Sequence, residues 1–187
     1  KKNLKFRVRI KVSDIWKNKD KKIKIEDKYL SLPLYYDNII FKGDEKSNLS
    51  YIGVEIIDKV ENYKRKGLYD IEIINQINLN DLYRSHIIDI KLPDNSIAKI
   101  EWKKEYIGNI KDEKIKGFYL YNLGLPKPDK SRGKLWVILS IILPNEIKKV
   151  EKEDEKSDYT VLTPEWFDSD EYYDKHKERN KTLLLRD

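Results

Sequence analysis

Apolar and polar positions alternate along most of this chain, with a period of two. Phe6, Val8, Ile10 and Val12 are apolar while Lys5, Arg7, Arg9 and Lys11 are polar, the pattern of a strand with one buried face. Ser13-Asp14 ahead of Ile15-Trp16 supplies a helix N-cap and predicts one short helical turn. Lys21-Lys22-Ile23-Lys24-Ile25 alternates again; Leu30, Leu32 and Leu34 form a third run, Asn38–Lys42 a fourth and residues 51–57 a fifth. Nothing in this half has the apolar spacing of a long helix.

The second half repeats the layout. Residues 70–74 read as a strand, and Asn78-Leu79-Asn80-Asp81-Leu82-Tyr83 as a capped short helix. Strand-like runs follow at 86–92, 96–102, 116–122 and 134–143, with a hairpin turn at Pro93-Asp94-Asn95. The predicted fold is all-β: two tandem β-sandwich domains, each with one short helix, over residues 1–62 and 68–147, joined by a hinge at 63–67. Residues 148–187 form a charged and aromatic C-terminal tail, partly disordered or packed back. The stretch 146–157 that leads into it is nearly all charge, whereas Trp166, Phe167, Tyr172 and Tyr173 are aromatics that favour packing.

Composition narrows the function. With 13 Tyr, 4 Trp and 4 Phe the chain is too aromatic for general disorder. It has no Cys, which removes disulfides, thiolate zinc sites and cysteine nucleophiles and favours a cytoplasmic location. No run approaches the roughly 18 apolar residues of a membrane span. Met is also absent, including at position 1, as expected of a piece of a longer protein. The net charge of +6 comes from 39 basic residues interspersed with 33 acidic ones, a solvated skin more than a phosphate-binding face, so nucleic acid is not the expected partner. His86 and His176 are the only histidines, neither with a suitably spaced partner, and no HExxH, GxSxG, P-loop or GxGxxG is present. The expected role is binding, not catalysis, without cofactor or metal.

Several short pieces carry a resemblance. Tyr63-Lys64-Arg65-Lys66-Gly67-Leu68-Tyr69 is similar to the linker between the two C-terminal β-domains of DnaJ-type (J-domain) co-chaperones. Gly124-Leu125-Pro126 followed by Arg132-Gly133-Lys134-Leu135-Trp136-Val137 resembles that family's "GLP…RGDLYV" segment. Leu92-Pro93-Asp94-Asn95 stands where the family has a "PTLDG" turn, and Leu143-Pro144 closes the last strand. In order and spacing these pieces span about residues 4–147. The chain has no J-domain and no cysteine-rich insertion, Glu26-Asp27-Lys28 making a direct turn there, so the zinc-free subclass is the nearer likeness. Residues 145–156 lack the apolar spacing of the family's dimerisation helix, which leaves a homodimer without its usual element.

The resemblance implies that extended client peptides add as a strand in the first domain and are delivered to a DnaK-type chaperone. Carried over by position, the groove wall is Val8 and Ile10 with Ile23 and Ile25, and Tyr63 stands at the linker position usually held by Phe. Lys21, Lys22 and Lys24 are the expected receivers of the partner chaperone's acidic tail. On the residues alone, the four aliphatics fit ordinary sandwich core better than a groove wall; the resemblance brings the two readings level. The competing function is a repurposed structural or adaptor protein with a dedicated protein partner.

Overall fold

The computed structural model describes residues 1–25, 27–144, 160–172 and 179–184. The charged run 146–157, the segment 145–156 weighed as a dimerisation helix, Glu26 and His176 lie outside the described residues.

The chain is an all-β, sandwich-type fold with short helices. Strand β1 (Lys2–Ile10) leads to helix α1 (Val12–Trp16), the hairpin β2 (Lys22–Ile25) and β3 (Lys28–Ser31), then β4 (Asn38–Lys42) and β5 (Leu49–Asp58). β4 and β5 are antiparallel, and β5 returns parallel to β1 with Phe6 opposite Val54 and Val8 opposite Ile56. A parallel return needs a long crossover. Here α1 and the hairpin lie within it, and both bury side chains in the core: Val12, Ile15, Trp16 and Ile23.

After β6 (Lys64–Lys66) the plan repeats. β7 (Asp70–Asn78) leads to a 3-10 helix (Leu79–Tyr83), the hairpin β8 (His86–Lys91) and β9 (Ile97–Trp102), helix α2 (Ile107–Ile110), β10 (Ile115–Leu120) and β11 (Leu135–Ile142). Again the last two strands are antiparallel and the last is parallel to the first, Leu135 lying opposite Ile71. Two tail strands complete the sheets: β12 (Glu165–Asp168) antiparallel to β10, and β13 (Asn180–Leu184) parallel to β4. The first sheet reads β1-β5-β4-β13 and the second β6-β7-β11-β10-β12.

Two local expectations change and two hold. Ser13 is not an N-cap: Lys11 holds that place without a side-chain bond, and the Ser13 hydroxyl donates to Glu61 at 2.5 Å. Asn78 does cap the 3-10 helix by position, again without a side-chain bond. The stretch read as a hinge carries strand β6, and Arg65 and Lys66 within it are buried. The hairpin turn at 93–95 is present, with Asn95 at φ 70° and its N–H donating to Leu92 O.

The two halves are joined through specific contacts. Trp16 Nε1 donates to Leu123 O at 3.0 Å, and Arg132 donates to Trp16 O at 2.9 Å with its guanidinium 4.0 Å from the Trp16 ring centre. Tyr35 donates to Pro126 O at 2.7 Å and packs edge-on against Tyr69. The two glycines of the Gly124…Gly133 motif are required by close backbone approach: Leu125 N–H donates to Tyr69 O, and a Cβ on Gly133 would stand 2.1 Å from that oxygen.

Candidate functional site

Main-chain direction identifies where another strand can be added. Ile10 lies opposite Asp58, and Lys59 N–H donates to Ile10 O at 2.7 Å. In a parallel ladder the two main-chain groups of one residue point to the same side and alternate along the strand. Leu4, Phe6, Val8 and Ile10 therefore bond to β5, while Lys5, Arg7 and Arg9 aim their N–H and C=O away from it. Among the described residues no strand covers that side of β1. In the second half the corresponding side of β7 is partly filled: Asp70 and Glu72 pair with Lys66 and Lys64 of β6. The place that β6 takes beside β7 is open beside β1.

Among the described residues, the hairpin offers a second open edge. Leu32 N–H donates to Lys21 O at 3.0 Å, and the register places Ile23 opposite Leu30 and Ile25 opposite Lys28. Antiparallel alternation then turns the main-chain groups of Lys22 and Lys24 outward. Lys21, Lys22 and Lys24 are all exposed, with Lys24 Nζ 5.9 Å from the centre of the exposed Tyr29 ring. The outward positions of both edges are thus cationic. Among the described residues, only Arg7 of these has an acidic partner, Glu55 at 3.2 Å on the exposed face.

The residues expected to form a groove wall are distributed differently. Val8, Ile10 and Ile23 are 6%, 5% and 8% exposed and belong to the common core. Ile25 is half-buried against that core. The apolar side chains these strands leave partly accessible are Leu4, Phe6, Ile25 and Leu30. Alternation shows which face a residue takes, but not how far a neighbouring layer covers it, so Leu4, Phe6 and Leu30 were not distinguishable from core.

Tyr63 lines another groove, of about 740 Å3, to which none of those four aliphatics contributes. Its hydroxyl donates to Lys91 O at 2.6 Å, and burial, reinforced by the Glu61 and Asp94 carboxylates, raises its pKa. The groove runs between β7 and β8, along Ile74 and Gln76 on one side and Asp89 and Ile90 on the other. Because Ile71 N–H donates to Lys134 O, alternation turns the main-chain groups of Ile74 and Gln76 away from β11, beyond the end of β6. Ile74 is 63% exposed there.

Among the described residues, no group of three or more His, Cys, Asp or Glu is placed to hold a metal. His86 is buried, its Nδ1 3.0 Å from Arg84 O. Lys66 lies between the Trp136 and Tyr172 rings, 4.7 and 4.0 Å from their centres, and burial lowers its pKa although three nearby carboxylates act the other way. These groups sit in packed structure, and what the exposed edges offer is main-chain hydrogen bonding, apolar contact and positive charge. No family model matches this chain, and no curated protein matches it.

Proposed function

We propose that this chain takes up extended, partly apolar peptide segments as an added strand on the open edges of β1 and β2, in the manner of the client-binding region of a zinc-free DnaJ-type co-chaperone, and passes them to a DnaK-type chaperone. One observation carries the reading: two halves share one strand plan, and among the described residues the edge position filled by β6 in the second is open in the first. Main-chain hydrogen bonds of about 0.5–1.5 kcal/mol each would hold the segment without regard to sequence. Full burial of one client Leu or Phe would add about 1.5–3 kcal/mol. Set against the entropy of association, that supports weak, reversible binding, as transfer between chaperones requires. Lys21, Lys22 and Lys24 would attract the acidic tail of the receiving chaperone, more weakly as salt rises.

A second reading, an adaptor with one dedicated partner, is favoured by the burial of Val8, Ile10 and Ile23. That burial leaves a shallow apolar strip where a general client binder would profit from a deep pocket.

Titration of labelled unfolded peptides and of an acidic tail peptide, followed by fluorescence anisotropy, separates the two. Arg7→Pro and Lys24→Pro each delete an outward N–H and leave the internal ladders whole, a place where sheets tolerate proline. The expected result is binding of unrelated peptides by the wild type, weakened about tenfold in the double variant, as the loss of roughly 1.4 kcal/mol of main-chain bonding implies. Absence of binding by the wild type, or indifference to the double variant, ends the client-binding proposal. A single folded partner captured instead would establish the adaptor.

A further inference from the structure

The chain already shows how one of its edges receives an extended segment. Asn38 lies opposite Asn180, and the N–H groups of Asp37 and Asn38 both donate to Arg179 O, at 2.6 and 3.2 Å. Parallel alternation then assigns the outward N–H and C=O of Asn38 and Ile40 to β13, with Lys181 and Leu183 donating back. Side chains add selectivity. Arg179 Nε lies 3.0 Å from Asp37 Oδ2, and Asn38 Nδ2 donates to Asn180 Oδ1 at 2.9 Å.

This strand is lightly held. Asn180, Lys181, Thr182 and Leu184 are exposed, and only Leu183 packs, half-buried, on the core. Among the described residues, Arg179 Nη1 is buried without a hydrogen-bond partner, while Nε meets Asp37. The other tail strand differs: Phe167 is 1% exposed, and Trp166 meets Trp102, Tyr106 and Phe118 edge-on. Of the two tail strands, β12 is thus held firmly and β13 weakly.

We propose that the outer edge of β4 is a second peptide site, kept occupied by β13 as an exchangeable strand. Its partner is an extended segment with arginine first, asparagine next and leucine four residues after the arginine. The arginine meets Asp37, the asparagine meets Asn38, and the leucine covers the end of the core. The site is distinct from the β1 and β2 edges and does not depend on them.

The probe is a labelled, end-blocked peptide of sequence Arg-Asn-Lys-Thr-Leu-Leu, titrated by fluorescence anisotropy against the full chain. Leu183→Asp is expected to release β13 and raise the peptide's apparent affinity about tenfold or more, because the competing strand no longer lowers the open fraction. Adding Ile40→Pro, which deletes an acceptor-edge N–H and leaves the β5 ladder whole, should return binding to the wild-type level or below. Replacing the peptide's arginine by alanine should weaken it, and Arg7→Pro with Lys24→Pro should leave it unchanged. Lys181→Pro repeats the release without altering a packed side chain, and amide exchange at Ile40 should speed up in both release variants. Equal peptide affinity in the wild type and both release variants, or binding insensitive to Ile40→Pro, overturns the proposal.

Discussion

Arg65 shows what a single side chain does between the two halves. Its side chain is 3% exposed and donates to Asp58 and Asp37 at 2.7 Å each, and to Tyr36 O at 3.1 Å. A planar guanidinium can address three directions at once; an ammonium on a flexible stem cannot hold that fork. Asp37 in turn receives Arg179, so one carboxylate serves strand β6 and the tail together. Truncating one partner of a buried ion pair typically costs about 3–5 kcal/mol. With both aspartates about a third exposed, Arg65→Ala should fall at the lower end of that range in urea unfolding, and Arg65→Lys should recover less than half of it. Losses below about 1 kcal/mol for both would show that the clamp is dispensable. None of this is legible in Lys64-Arg65-Lys66-Gly67, because a basic run in a lysine-rich chain reads as solvated surface.

At the level of elements, alternation located most of the sheet. Asn38–Lys42 is a strand over the expected residues, and β7, β8, β9 and β11 lie within a few residues of theirs. The repeat of strand, short helix, hairpin and paired strands was also visible. β12 was not, because its two apolar residues are adjacent and no alternating run announces it. The structure explains the adjacency: Trp166 enters the aromatic cluster of the second core, while Phe167 packs on Trp136 and Tyr172. β12 is thus apolar on both faces and β13 on one. Phe167→Ala should cost about 3–5 kcal/mol, as burial of a whole ring implies, whereas Leu183→Ala should cost about 1 kcal/mol or less. Chemical denaturation of the two variants checks the ranking, and equal losses would mean that β13 is held as firmly as β12.

Across the molecule, the difference between what pattern reveals and what pairing reveals decides the candidate site. Period-two alternation assigns Val8, Ile10, Ile23 and Ile25 a common character, yet three of the four are sealed in the core and only Ile25 is half-buried. Open edges belong to strand order, which no local pattern encodes. The same holds for the contact between halves, where Arg132 holds Trp16 by its carbonyl and its ring while Tyr35 reaches Pro126. Of the four tryptophans, Trp16 reports the first half and Trp102, Trp136 and Trp166 the second. If this contact couples the halves, fluorescence and far-UV dichroism should give one coincident unfolding transition in the wild type. Arg132→Ala with Tyr35→Phe removes the hydrogen bonds to Trp16 O and Pro126 O and one cation–π contact between the halves, together worth about 2–3 kcal/mol, and also the Arg132 bond to Gly124 O within the second half. The two probes should then separate, with the less stable half melting first. Coincident transitions in the variant would mean that Arg65 and the tail couple the halves without the Trp16 contact, and separate transitions already in the wild type would mean that the halves fold as independent units.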